Sequence, residues 1–292
     1  MRQFLPGIFF AALWASASVA SKFGVAVVPP LVLACTRFLF AGVLMLAFTY
    51  IFLPSKSRLP RGKEWQQLFI FSVLNTSLYL GAFVLAIQQV SAGIGSLSTA
   101  TSPLFIMVFS AIWLKRKIKW VEIVGLLFGL AGVLLACYPL LRSGYATCTG
   151  LFILLIGMLS VSAATVYYAA IQWQLSNLVI NGWQVLIGGL TLLPIALLSS
   201  DISAGHYNAQ FWGSVFWLII PVSVIALQLW FYLVKIDAVR ASLWLFLCPP
   251  FGFVFSHTIL GEPISWHTFV GTALVVGGLY LAQKHKFARQ RA

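Results

Sequence analysis

The sequence predicts an all-α integral membrane protein: ten transmembrane helices in two inverted five-helix repeats, with both termini cytoplasmic. Three observations carry that expectation. The first is composition, with 61% hydrophobic residues, 8% charged and only five acids among 292 residues. A soluble domain carries about a quarter charged residues. Here apolar runs recur about every 25–30 residues, each near the ~20 that span a bilayer. The second is an internal duplication. Shifted by 146 residues, Ser91–Ala136 lands without a gap on Asp237–Ala282, and sixteen positions coincide. They include Ala92/Ala238, Ser96/Ser242, Pro103/Pro249, Ser110/Ser256, Ile118/Ile264, Trp120/Trp266, Gly125/Gly271 and Gly132/Gly278. The same shift carries Leu13, Ser16 and Ala17 onto Leu159, Ser162 and Ala163. The repeats are therefore drawn as 1–143 and 144–292.

The third observation is the placement of basic residues. With the N-terminus inside, cytoplasmic segments hold Arg2; Lys56, Arg58, Arg61 and Lys63; Lys115, Arg116, Lys117 and Lys119; Lys235 and Arg240; and Lys284, Lys286, Arg289 and Arg291. The other side keeps Lys22 and Arg142, and Arg37 lies inside helix two. Fifteen against two is the positive-inside pattern. The net charge of +13 is thus explained by the lipid bilayer as partner, and nucleic acid is not expected. An even helix count returns both termini to one side. Five helices per half is odd, so the halves oppose each other in the membrane.

In order, helices are expected near 5–23, 31–53, 65–87, 92–114, 119–138, 149–169, 179–199, 212–235, 238–260 and 265–283. Helix one mimics a secretory signal, with Arg2, an apolar core and Ala-Ser-Ala-Ser-Val-Ala. Its match to helix six keeps it in the fold. The four cysteines, Cys35, Cys137, Cys148 and Cys248, form no CxxC and read as small buried hydrophobes, with a Cys137–Cys148 bridge left open. In helix five, Gly125-x-x-x-Gly129 followed by Gly132 reads as a helix-packing seam or a dimer contact, so a homodimer stays open.

No HExxH, nucleophile elbow or P-loop lysine is present. An enzyme is not expected, nor a cofactor, a metal or ATP as driving force. Glu64, Glu122, Asp201, Asp237 and Glu262 all fall at helix ends or in loops. Ionisable groups at the midplane mark ion paths. Without a buried acid, substrate-driven diffusion or exchange is at least as well supported as proton antiport. His257 reads as a packed or interfacial residue. Arg37 sits some ~10 Å along helix two. Burial at a helix centre costs about 2.5–3.5 kcal/mol, so snorkelling to the outer face is favoured over contact with a substrate carboxylate.

Candidate cargo contacts are the polar and aromatic residues at mid-span. Ser91, Gly95, Ser98, Thr99 and Ser102 form one small polar stripe on helix four, open to close packing or to a polar cavity. Trp14 and Ser18 on helix one, Asn75 and Tyr79 on helix three, and Ser162 and Tyr168 on helix six join them. Gln228 and Trp230 on helix eight and Ser242 and Trp244 on helix nine complete the set. Trp212 and Trp217 read as interfacial belt. Pro103 and Pro249 are expected to kink helices four and nine as paired hinges.

The second half resembles the EamA-type domain of the drug/metabolite transporter superfamily. Ala238, Ala241, Ser242, Pro249, the Leu260-Gly261-Glu262 turn, Gly271 and Gly277-Gly278 carry the resemblance. The first half matches through Pro103, Gly125 and Gly132 and departs at Leu114-Lys115-Arg116. The resemblance implies a membrane exporter of amino acids, other metabolites or drugs, closest to the aromatic amino-acid exporter branch. Inverted repeats are typical of secondary transporters with a midplane site. The function expected is export of small metabolites, chiefly amino acids, by alternating access. The alternative is a multidrug or lipophilic-cation exporter.

Overall fold

The computed structural model describes residues 4–54, 57–113, 120–142, 144–236, 241–242 and 244–288. The basic residues Arg2, Lys56, Lys115, Arg116, Lys117, Lys119, Arg240, Arg289 and Arg291 lie outside them. So do Leu114, Ile118, Asp237 and Ala238, and the side chains of Glu122, Cys137, Lys284 and Lys286. Among the described residues, seven helices are long and apolar enough to cross a membrane. These are α1 (Phe4–Val25), α2 (Pro30–Phe52), α3 (Lys63–Ile87), α4 (Ala92–Trp113), α6 (Cys148–Ala170), α7 (Asn177–Ser199) and α8 (Ala209–Ile236). Between and after them come α5 (Trp120–Arg142), α9 (Trp244–Leu260) and α10 (Trp266–Ala288). Local chemistry sets the starts. Ser91, Thr147, Ser176 and Asn208 each accept a backbone N–H three residues on, capping α4, α6, α7 and α8. Pro30 begins α2, where its missing N–H costs nothing.

Two antiparallel seams join the halves, and glycines make both. In the α5–α10 seam, a Cβ on Gly132 would lie 2.5 Å from the Gly271 oxygen, and one on Gly278 would lie 2.6 Å from that of Gly125. The duplication maps Gly125 onto Gly271 and Gly132 onto Gly278, so the contact is reciprocal. The GxxxG pattern of helix five is thus an internal seam of the chain. In the α2–α7 seam, Gly42 meets Leu186, Gly182 meets Leu46 and Gly189 meets Leu39.

The remaining pairings exchange under the same repeat. Helix α1 packs on α8 and α9, and α6 packs on α3 and α4. The helical interruptions repeat as well. A π-helical stretch occupies Val73–Leu78 in α3 and another Leu218–Ala226 in α8; moving the first by 146 gives 219–224, inside the second. The connection at 200–208 docks on the α1–α2 turn, where His206 N donates to the Val27 oxygen at 2.8 Å. Its counterpart at 54–62 follows α2 at that helix's opposite end. Below, "near end" means the side with 54–62, and "far end" the side with 88–91 and 200–208.

The prolines act differently from the expected mid-helix kinks. Helix α4 is broken at Ala100–Thr101, and Pro103 sits in the first turn of the piece that restarts at Ser102. Helix α9 opens with a 3-10 turn, Trp244–Leu247, and Pro249 lies in the first turn of the α-helix starting at Cys248. In both places the backbone has already left α geometry before the proline, which occupies a position that needs no N–H donor. Cys148 is a free thiol, so the bridge to Cys137 is not formed, and Cys35 and Cys248 are buried free thiols.

Glycine at the α5–α10 seam is a steric requirement. Gly132→Leu should lower the thermal midpoint of the detergent-solubilised protein, with an overpacking cost of about 1–3 kcal/mol. Gly277→Ala, whose Cβ meets nothing within 4 Å, should leave the midpoint unchanged; equal effects would remove the seam from the account.

Candidate functional site

The site begins at the two π-helical turns. A π-turn displaces the i→i+4 ladder and leaves carbonyls needing other donors. Neighbouring helices supply them: Ser160 Oγ of α6 donates to the Leu74 oxygen at 2.7 Å, and Asn181 Nδ2 of α7 donates to the Ser223 oxygen at 2.9 Å. A buried polar chain connects the two turns through α7. Gln184 Nε2 donates to Asn181 Oδ1 at 3.0 Å, and Gln184 Oε1 accepts from Asn75 Nδ2 at 3.2 Å and Thr76 Oγ1 at 2.5 Å. At the α8 turn, Ser223 Oγ accepts from Arg37 Nε at 3.1 Å.

Arg37 therefore does not snorkel. It is 2% exposed, with its guanidinium 5.1 Å from the Phe38 ring centroid. Ser223 of α8 offers an acceptor within reach, and Trp14, Ser18, Tyr79, Thr99 and Val222 border the same cleft as Arg37. Arg37 Nη2 is buried with no hydrogen-bond partner.

Two thin clefts lie on this framework at mid-span. One is lined by Phe10, Trp14, Asn75, Tyr79, Thr99 and Trp230, together with Ser102 and Thr165. The other is lined by Trp14, Ser18, Arg37, Tyr79, Phe83 and Thr99. Trp14, Tyr79 and Thr99 border both. Phe10 stacks on Trp230 at 5.1 Å and lies 5.6 Å from Trp14, giving one wall an aromatic face.

Six of the twelve residues expected to touch cargo thus converge: Trp14, Ser18, Asn75, Tyr79, Thr99 and Trp230. The others are placed elsewhere. Ser98 bonds back to the Gly95 oxygen, beside the break in α4. Ser162 donates to the Met158 and Ser102 oxygens, stitching α6 to that break. Gln228 Nε2 reaches the Asn177 oxygen at 3.4 Å. Ser242 is buried, and the Trp244 ring fills the space beside Gly7. Ser102 of the helix-four stripe is on a wall as well, whereas sequence reasoning missed Phe10 and the Asn181–Gln184 pair behind the clefts. An i, i+3 amide pair in an apolar helix was the available signal.

Contacts beyond the clefts tie the helices together at both ends of the bundle. At the near end Tyr168 stacks on Phe231 at 4.9 Å, with Phe71 at 5.3 Å and Trp173 at 5.7 Å. At the far end Lys22 Nζ donates to the Ile87 and Val90 oxygens at 2.9 and 2.6 Å, binding α1 to the end of α3. There, too, Glu262 accepts from the Ala92 and Gly93 amides at 2.8 and 3.2 Å, placing a carboxylate on the N-terminus of α4. Glu262 is 7% exposed, and Gly261 turns the chain to it at φ +67°. His257 Nδ1 meets the Glu262 oxygen at 3.0 Å, so this histidine holds the turn. Lys22 and Tyr168 are 146 residues apart, which makes the two contacts equivalent positions of the repeat.

The EamA-like transporter family model matches residues 4–138 and again 148–283. The chain belongs to the EamA-like transporter family. Among curated members, the uncharacterized transporter sll0355 of Synechocystis is 27% identical over 94% of this chain and 87% of that protein. The Escherichia coli K12 inner membrane transporter YedA is 27% identical over 98% and 93%. The WAT1-related chloroplastic protein At3g02690 of Arabidopsis thaliana is 28% identical over 92% and 66%. A solved structure superposes with a TM-score of 0.70 at 21% identity, covering 97% of both chains, which fixes the fold alone. This EamA-like chain is a multi-pass integral membrane protein.

Removing the far-end carboxylate with Glu262→Ala leaves two buried α4 amides without acceptors, at about 1–3 kcal/mol. Thr99→Cys, in a background free of native cysteines, should then label faster with a membrane-impermeant maleimide. An unchanged labelling rate would mean that Glu262 does not hold the far end shut.

Proposed function

We propose that this chain is a secondary transporter of ten membrane-spanning helices, built as inverted repeats 1–143 and 144–292. It exports small metabolites, chiefly amino acids including aromatic ones, by alternating access across the cytoplasmic membrane. The two termini and the 54–62 connection face the cytoplasm, and in a bacterium the membrane is the inner one. The observation that carries the reading is the pair of contacts at Lys22 and Tyr168, equivalent positions at opposite ends of the bundle that we take as gates to the mid-span clefts. Release of one and retention of the other exposes the cleft to one side only, which is what alternating access requires. The glycine seams α5–α10 and α2–α7 suit the fixed scaffold, while the broken helices α4 and α9 suit the moving walls.

The cleft chemistry supports a cargo with an aromatic or apolar body and a polar end. Phe10, Trp14, Tyr79 and Trp230 offer area, and Asn75, Thr99 and Ser18 offer hydrogen bonds. Lipophilic cations suit it poorly. Among the described residues, Arg37 is the one charged side chain lining either cleft, and it carries the same sign as such a cargo.

Proteoliposomes containing the purified protein should take up labelled amino acids, faster with unlabelled amino acid on the far side. A pH gradient should change little. Trp230→Ala and Asn75→Ala should each lower uptake about tenfold, as expected for about 1.4 kcal/mol of lost contact. Absence of flux for every amino acid tested would overturn the cargo assignment.

A further inference from the structure

We infer that Arg37 is a carboxylate-binding residue, so the cleft selects organic acids, and amino acids through their acid end, over the corresponding amines. The inference rests on the transporter reading above and names the group by which cargo is held. Arg37 lines the cleft shared with Trp14, Ser18, Tyr79 and Thr99. Its guanidinium stays charged under all ordinary conditions. Only Nε is anchored, on Ser223 Oγ at 3.1 Å, while Nη2 is buried and unpartnered.

Each described acid whose side chain is placed is engaged elsewhere. Glu64 pairs with Arg58 at 2.6 Å, Asp201 holds Ser203, and Glu262 caps α4. Among the described residues the guanidinium thus has no counter-charge, and a cation buried in this way is balanced best by an anion that arrives from outside. A guanidinium edge matches the geometry of a carboxylate. Ser18 Oγ and Thr99 Oγ1 stand on the same wall, although both hydroxyls already serve local bonds. The aromatic wall of Phe10, Trp14 and Trp230 accepts the rest of the molecule. Among the described residues, no acid lines either cleft to hold an ammonium group.

Three ligands with one aromatic body separate the possibilities: phenylalanine, 3-phenylpropionate and phenethylamine. Titrated calorimetrically into the purified full-length protein, the two carboxylates should bind and the amine should bind at least about tenfold more weakly. Arg37→Gln should weaken both carboxylates about ten- to a hundredfold and leave the amine unchanged. Arg37→Lys should fall between the two. Amine binding equal to that of the acids, unchanged acid binding in Arg37→Gln, or no binding of either acid overturns the inference. If Arg37→Gln does not fold, the wild-type order of the three ligands still decides. Acids that bind through Arg37 but never cross proteoliposomes would leave this site standing and remove the transport reading instead.

Discussion

Inside a bilayer a backbone group that loses its helical partner has no water to turn to, and this chain creates that situation twice by design. The π-helical turns of α3 and α8 release carbonyls at the level of the clefts. Ser160 and Asn181 answer them from neighbouring helices. Because those donors belong to α6 and α7, each turn is held in place by the other half of the molecule or by the helix that joins the halves. Asn181 then orients Gln184, Gln184 orients Asn75, and Ser223 holds Arg37. The polar side chains beside the clefts are thus consequences of satisfying the backbone, placed by the same network.

The two ends are tied by different physics at equivalent positions. The far end uses charge: an ammonium on helix C-terminal carbonyls and a carboxylate on helix N-terminal amides, each favoured by the helix dipole. The near end uses stacked rings, worth about 0.5–1.5 kcal/mol per pair beyond their buried area. Neither contact is large beside the seams, where α5 and α10 bring their backbones together over two glycine pairs. In the proposed alternating-access cycle, the tightly packed seams would stay fixed and the two ends would move.

Much of this was legible in the sequence. The 146-residue shift identified the glycines that meet in the α5–α10 seam, because only glycine allows such an approach and its pairing survives in the repeat. Half of the twelve mid-span residues singled out as cargo contacts, Trp14, Ser18, Asn75, Tyr79, Thr99 and Trp230, line the clefts. The π-turns were not read, since Val73–Leu78 with Asn75, Thr76 and Ser77, and Leu218–Ala226 with Pro221 and Ser223, fit an ordinary α-helical pattern as well and no residue type fixes the extra residue per turn. Arg37 was misjudged because an isolated helix gives it only lipid or the interface, whereas the folded bundle gives it Ser223. The prolines were read as causes of kinks, though both sit just after breaks made elsewhere. Glu262 was seen as part of a turn, and its long-range role at Ala92 and Gly93 depends on packing that spacing cannot reveal.

The account stands on the halves facing opposite ways, and loop sidedness tests that directly. Arg61 and Ser203 are both exposed, one in each of the connections related by the repeat. Cysteines placed there singly should label from opposite sides of the membrane. Ser203→Cys should react with an impermeant maleimide on intact cells, and Arg61→Cys only after permeabilisation. Labelling of both from the same side would contradict the inverted arrangement and the paired gates built on it.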